Sequence, residues 1–403
     1  MARIVDLIWL MLMWSLLSGC NGQHNTLKQG ESLDSDSSLV SANGMFTMTF
    51  HIYDHDYNFT YLAIKYKESH NYAWIANRED LVEYPSGVLT LETNNTLHIT
   101  RGDDDPVLLY SPDSETINGD VVAVLNDDGN FVVQEVSSKR VLWQSFDYPG
   151  DVLLPGMKLG VNRGKGQDWS LSSWLSEKAA VPGPFTLGWD GSQLIIKRRG
   201  MVYWTSGVLR DGKFENIKQK KYSYKTVSNE NEFSFTYLAA DQKATPQWLL
   251  TTMGRLQDSD RGDIAKADSF YGYNNKEGCR TWDQPTDCNR TGDVFQQYNG
   301  YFNDGGSRTD YPNASLSLSD CKANCWADCQ CKGFSFFYTN QTGCKIWSGD
   351  RMWNSVETAQ VQILYIIWKN RNPTRRQHLI GYGLEFLLAF LYFWWWFASS
   401  AVY

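Results

Sequence analysis

Met45-Phe-Thr-Met-Thr-Phe50 follows the turn signal Asn43-Gly44 and is a short run rich in aromatic and hydroxylated residues. Runs of this kind fit a pleated, half-buried strand. The same texture recurs outward along the chain at Tyr61-Leu-Ala-Ile-Lys-Tyr66 and Val88-Leu-Thr-Leu-Glu-Thr93. Turn signals stand between the runs, at Pro85-Ser86-Gly87, Asn118-Gly119 and Asp128-Gly129. Short strands at this spacing, with few helical stripes, predict an all-β sandwich, barrel or prism.

Gly44-Met-Phe-Thr47 is echoed by Gly183-Pro-Phe-Thr186. The first is followed by Tyr72-Ala-Trp74 and the second by Val202-Tyr-Trp204. Two such echoes favour two related β units in tandem. The loop from Gly160 to Gly166 falls inside the second unit, and the polar stretch 253–278 reads as a linker or long loop.

Seven of the eight cysteines lie between Cys279 and Cys344, and only Cys20 precedes them. A dense thiol cluster behind a cysteine-free stretch predicts a disulfide-stapled module in an oxidising compartment. Ser317 to Cys329 reads as a helix capped by Ser319-Asp320, with Cys321, Cys325 and Cys329 along one face. Lys332 to Tyr338 alternates like a strand, and Gly343-Cys344-Lys-Ile-Trp347 reads as its hairpin partner. The Cys-x3-Cys-x3-Cys-x-Cys spacing is not a standard zinc pattern, and no His lies between Cys279 and Cys344. No metal and no cofactor is expected.

The 403 residues give room for two or three domains. With 42% hydrophobic and 14% aromatic residues the chain can build packed cores. A net charge of −8 disfavours nucleic acid as a partner. Residues 1–22 read as a signal peptide, with Arg3 ahead of an apolar Ile4–Leu17 interrupted by Asp6. Leu17-Ser18-Gly19-Cys20 also resembles a bacterial lipoprotein box, but five sequons, at Asn58, Asn94, Asn289, Asn313 and Asn340, favour a glycosylated eukaryotic ectodomain. Residues 379–403 are apolar but for Glu385 and read as a membrane anchor. Trp394, Trp395 and Trp396 suit an interface there, whereas Arg371, Arg375 and Arg376 sit on the side that the positive-inside tendency disfavours. The expected location is the secretory pathway, either as a single-pass plasma-membrane protein or secreted.

Ser41-Ala-Asn-Gly-Met-Phe46, Trp74-Ile-Ala-Asn-Arg78 and Leu142-Trp-Gln-Ser-Phe-Asp-Tyr-Pro-Gly-Asp151 occur in that order, continued by Val152-Leu-Leu-Pro-Gly-Met-Lys-Leu-Gly160. Together they resemble the ectodomain of plant S-domain receptor-like kinases, which carry a bulb-type, mannose-binding lectin domain. Asp320-Cys-Lys-Ala-Asn-Cys-Trp-Ala-Asp-Cys-Gln-Cys331 followed by Gly343-Cys344 resembles the PAN/apple module of that family. The resemblance spans roughly residues 25–370 and implies a mainly β chain. A bulb-type lectin domain at 23–150 is expected, then a second lectin-like, S-locus-glycoprotein-type β-prism at 151–270 and a small disulfide-rich α+β PAN domain at 279–369. It also implies the pairs Cys321–Cys344 and Cys325–Cys331. Cys279 and Cys288 bracket a short loop and are expected to pair. Cys329 is then left for an intermolecular bridge, or displaces one of those partners. The six-cysteine module that often precedes PAN in the family is not found.

The family's sugar pocket follows the pattern Q-x-D-x-N-x-V-x-Y. Polar side chains two apart on a strand face the same way and can grip adjacent sugar hydroxyls. Here Asp128, Asn130 and Val132 match, while Asn126 and Gln134 stand in the Gln and Tyr positions. The bland alternative is a hairpin turn, for which Asp-Asp-Gly-Asn is well suited. A second run, Glu92, Asn94, Thr96, His98 and Thr100, keeps almost none of the pattern and is discounted. Trp74, Asn77 and Arg78 are read as structural, and His51, Asp54, His55 and Asp56 as a solvated strand end. The two Arg-Gly-Asp triplets, at 101–103 and 261–263, are assigned no role.

No kinase glycine loop, His-Arg-Asp or Asp-Phe-Gly stretch occurs, and no Ser-His-Asp or paired-carboxylate constellation has supporting context. The expectation is a binding protein, not an enzyme: a kinase-less, receptor-like surface protein. It would recognise a mannose-type glycan, or pair with S-domain receptor kinases or with itself through PAN. The rival expectations are a soluble secreted lectin-like glycoprotein and a truncated, non-functional receptor-kinase paralogue.

Overall fold

The computed structural model describes residues 24–54, 58–112, 117, 119–217, 222–239, 246–258, 262–265, 278–280, 285–290, 293–302, 307–349, 353–355 and 363–369. The expected signal at 1–22, the apolar segment at 379–403, Cys20, His55 and Asp56 lie outside the described residues. Among the described residues no helix is long and apolar enough to cross a membrane.

Strands dominate, and from residue 24 to 265 they form two successive sets of three antiparallel sheets. In the first set, one sheet joins β1 (Thr26–Lys28), β2 (Val121–Leu125), β3 (Phe131–Glu135) and β4 (Val141–Gln144) in that spatial order. A second joins Ser32–Leu33, Gly87–Leu91, Leu97–Arg101 and Asp104–Tyr110. The third runs Leu39–Val40, Phe46–Asp54, Phe59–Tyr66 and Tyr72–Ile75. Phe46, Met48 and Leu62 are sealed from solvent, as are Leu89, Ile99, Ala123, Phe131 and Val133 from the other two sheets. Three sheets that each turn an alternate-residue apolar face inward enclose one core, which is a β-prism.

The second set repeats the plan. Val152–Leu153 completes the sheet of Trp248–Leu250, Leu256–Gln257 and Asp263–Ala265, as β1 completes β2 to β4. Leu171–Ser176, Ala179–Trp189, Leu194–Arg198 and Met201–Thr205 form a meander like the third sheet of the first prism. The remaining sheet differs. Leu159–Asn162 lies between Gln167–Trp169 and Glu232–Ala239, with Tyr222–Ser228 on the far edge. Residues 256–257 and 263–265 are strands of the second prism, so the stretch expected as a linker from 253 carries part of the fold. A sheet edge offers backbone partners that polar composition alone does not reveal.

The echo between Gly44–Thr47 and Gly183–Thr186 has a structural basis. Phe46 and Phe185 are buried at equivalent places, in the second strand of equivalent meanders. Each ring lies against a glycine in a tight turn. A Cβ on Gly129 would stand 2.6 Å from the Phe46 ring, and one on Gly254 would stand 2.5 Å from that of Phe185. Both glycines have positive φ, +88° and +76°. The turns close alike: Gly129 N–H donates to the Asn126 carbonyl (3.1 Å) and Gly254 N–H to that of Thr251 (2.9 Å). Asn126 N–H then donates to the Asn130 carbonyl, and Thr251 N–H to that of Arg255, both at 2.9 Å.

Arg78 links the prisms. Its guanidinium donates to the carbonyls of Ala180 (2.8 Å), Ser172 (3.0 Å) and Ser173 (3.0 Å). Trp74 donates its indole N–H to the Tyr148 carbonyl, and the Asn77 amide holds the backbone of Leu62, Thr60 and Asp80. All three are framework groups. His51 packs its ring on Tyr72 at 5.1 Å, rather than standing in solvent.

Contacts divide the described chain into two compact units. The first holds both prisms with Tyr311–Cys321 and Phe336–Cys344; the second holds Gln284–Asp310, Lys322–Ser335 and the chain after Cys344. The cysteine-rich region contains helix α1 (Leu318–Ala327). It also contains a sheet ordered Ser307–Tyr311, Cys344–Ser348, Cys331–Phe336, Ile363–Lys369, Asp293–Phe302 and Trp353–Ser355. Ser317, not Ser319, caps α1. The Asp320 N–H donates to the Ser317 hydroxyl while Ser317 N–H donates to the Asp320 carboxylate (2.9 Å), a reciprocal box.

Among the described residues there are three disulfides: Cys321–Cys344, Cys325–Cys331 and Cys288–Cys329. The third replaces the expected Cys279–Cys288 pair and takes up Cys329, which was expected to be left over. The helix ends at Ala327, so Cys329 leaves its face and meets Cys288. Cys279 belongs to none of the three; it is buried in the core of the first unit and its backbone bridges to Trp204.

Candidate functional site

The residues of the sugar-site pattern fall on the β2–β3 turn and along β3. Phe131 and Val133 point into the core, so Val132 and Gln134 occupy the outer face of that sheet. Cross-strand pairing sets Val132 between Val124 of β2 and Gln144 of β4, and Gln134 between Val122 and Val141. The fold thus brings Asn126, Asp128, Asn130, Val132 and Gln134 to one strip of the first prism.

Their states differ. Asp128 is exposed, and one carboxylate oxygen accepts the Asn130 N–H at 2.9 Å. That bond holds the turn and leaves the second oxygen without a hydrogen bond among the described residues. Asn126 and Gln134 are half-buried, and their side chains have no hydrogen bond among the described residues. Val132 is only 1% exposed and packs within the sheet between its two neighbours. Asn130 is buried and heavily engaged. Its Nδ2 donates to the side-chain Oε1 of Gln144 (3.0 Å), and its Oδ1 accepts from the Ser145 hydroxyl (3.2 Å) and the Phe146 N–H (3.3 Å). Ser145 Oγ in turn accepts the Phe131 N–H at 2.9 Å. One Nδ2 hydrogen of Asn130 remains for an outside acceptor.

Gln144 and Ser145 lie in the stretch Leu142–Gly160, and nothing in the sugar-site pattern marks them. The available signal was positional: Gln144 shares the outer face with Val132, but only the strand register places it there. The neighbouring Asp127 does framework work, holding Asn43 N–H at 2.8 Å.

The discounted run at 92–100 forms the same kind of turn, with Glu92 N–H donating to the Thr96 carbonyl (2.8 Å). Glu92 and His98 lie 3.9 Å apart, and Asn94 Oδ1 holds the Thr96 N–H. Of the sequon residues, Asn58, Asn94, Asn289 and Asn313 are exposed and Asn340 is half-buried. Asn313 and Asn340 each accept from the hydroxyl two residues on, at 2.7 Å.

Fold and turn geometry define a tandem β-prism of the lectin type joined to a disulfide-rich module. The D-mannose binding lectin family model matches residues 71–175, and a PAN-like domain model matches residues 288–352. The relatives are G-type lectin S-receptor-like serine/threonine-protein kinases of Arabidopsis thaliana. The one called CES101 is 32% identical over 81% of this chain and 44% of its own length. At1g67520 is 31% identical over 84% of this chain and 42% of its own length. The chain therefore spans less than half the length of these relatives. Among solved structures, the mannose-specific agglutinin from snowdrop (Galanthus nivalis) bulbs, complexed with methyl-α-D-mannoside, is 24% identical. It matches over 27% of this chain and 87% of that one, at a TM-score of 0.21.

Proposed function

We propose that the chain is a receptor-like binding protein of the secretory pathway, without catalytic work of its own, that holds a mannose-type glycan on the outer face of its first prism. The observation that carries this is the exposed Asp128 carboxylate at the head of the β3 strip, with one oxygen uncommitted among the described residues. A sugar hydroxyl donates to that oxygen, Asn126 and Gln134 offer amides on either side, and the remaining Nδ2 hydrogen of Asn130 meets an acceptor. Three disulfides and four exposed sequon residues support an oxidising, glycosylating route. A glycan array on the purified ectodomain tests the reading. Mannose-type glycans bind, and Asp128→Ala weakens them about tenfold or more, as for loss of a charged hydrogen-bond partner. An array with no binding, or binding indifferent to Asp128→Ala, overturns it.

A second reading rests on Asn130, whose amide is held by Gln144, Ser145 and Phe146. A strip locked in this way serves as a protein surface instead. The chain then acts by pairing with full-length S-domain receptor kinases, or with itself, through its PAN-like module, and modulates their signalling. Co-purification from native tissue decides this, with recovery of a receptor kinase lost when residues 288–352 are removed. Membrane fractionation with alkaline extraction separates an anchored protein, which stays in the pellet, from a secreted one.

A further inference from the structure

The second prism has a counterpart of the Asn126–Asn130 turn in Thr251–Arg255, closed by the same two backbone hydrogen bonds and the same glycine-on-phenylalanine contact. This counterpart opens onto a cleft of about 580 Å³ within the first unit. That volume lies in the range of small-ligand sites. Tyr72 of the first prism and Trp174 of the second form one wall, their rings nearly parallel at 13° and 6.3 Å between centroids. Asp151 and Glu177 also line the cleft, and Glu177 accepts the Thr252 hydroxyl.

Arg255 stands where the first prism has Asn130. The Asn130 amide is engaged on both sides, whereas the Arg255 guanidinium makes no hydrogen bond or ion pair among the described residues. Its Nε is buried without a partner. A buried donor left unmade is costly, and an acceptor brought by a ligand removes that cost. The carboxylates of Asp151, Glu177 and Asp258 disfavour an anionic ligand, and a cationic ligand brings donors where the buried Arg255 Nε needs an acceptor. A ligand with neighbouring hydroxyls meets both requirements, because each hydroxyl donates and accepts. The aromatic wall suits the apolar C–H face of a sugar ring.

We propose that the cleft beside the Thr251–Arg255 turn is a second ligand site that takes a neutral oligosaccharide, with Arg255 donating to its oxygens and Tyr72 and Trp174 bearing its ring face. The site stands apart from the Asn126–Gln134 strip and does not depend on that strip binding sugar.

Met253 lines the cleft and supplies a local reporter. The intact ectodomain is labelled with methyl-¹³C methionine and titrated with cellotetraose, xylotetraose or mannotetraose. Trigalacturonate and tetralysine are the charged comparisons. The Met253 methyl resonance shifts and saturates with at least one neutral tetrasaccharide. Arg255→Ala, which removes an unpartnered side chain, weakens that titration about tenfold. Trp174→Ala weakens it too, provided its thermal melt shows a folded protein. The proposal is overturned if no neutral probe moves the Met253 signal, if only trigalacturonate or tetralysine does, or if Arg255→Ala titrates like wild type. Because Met253 reports only on the cleft, its silence says nothing about the first-prism strip, and failure of the glycan array leaves this titration standing.

Discussion

The two prisms share a turn and use its side chains differently. In the first, Asn126-Asp-Asp-Gly-Asn130 ends in a buried amide and displays a carboxylate. In the second, Thr251-Thr-Met-Gly-Arg255 displays no charge until Arg255. Shared are the two parts the backbone requires: a glycine with positive φ and a phenylalanine ring against it. The first strands correspond as well. Leu125 N–H donates to the Asn25 carbonyl and Leu250 N–H to that of Asp151, both at 2.8 Å. Framework positions are thus set by packing and sterics, and the others are free to differ between the two turns. The contrast between Asp128 and Arg255 is one of chemistry on a common scaffold.

The comparison breaks most readily at the phenylalanines. Phe46→Ala and Phe185→Ala each remove a fully buried ring and should cost about 3–5 kcal/mol. Chemical denaturation of the two variants should give similar losses; a large loss in only one would show that the prisms are not built alike. The glycines come next. Ala at Gly129 or Gly254 meets both a left-handed backbone and a ring 2.5–2.6 Å away. Overpacking and the wrong φ together predict about 2–4 kcal/mol at each position. A tolerated Gly254→Ala would mean that Phe185 yields where Phe46 does not.

The strand texture around Met45–Phe50 and the Phe46/Phe185 echo made the two-unit β plan legible, because period-two burial and a shared ring contact leave local marks. What escaped was decided by distant partners. Cys321, Cys325 and Cys329 share a four-residue spacing, yet α1 stops at Ala327 and Cys329 bonds a cysteine 41 positions away. Helix periodicity cannot report a partner at that range. The sugar-pattern residues were legible as a strip, but the grip of Gln144 and Ser145 on Asn130 depends on the register of β3 and β4. Thr251–Arg255 carries no mark in the sequence, because its side chains resemble no binding pattern. Only the backbone shows its kinship with Asn126–Asn130.

The smallest of these effects is also the most selective. Asp151 occupies the place of Asn25, and burial raises its carboxyl from 3.8 to about 6, opposed by the Arg78 guanidinium. The folded state therefore binds this proton more tightly than the unfolded chain. Stability from this group is fully present below about pH 4 and is lost as pH rises through about 6. The shift corresponds to about 3 kcal/mol, and partial solvent access reduces it to roughly 1–3 kcal/mol. Asp151→Asn removes the titration and makes this position resemble Asn25. The variant should gain on wild type in thermal unfolding as pH is raised from 4 to 7, with most of the gain between the two pKa values. A difference between variant and wild type that stays flat with pH would mean that the Asp151 charge is accommodated when ionised, and that acid and amide are interchangeable at the start of a prism.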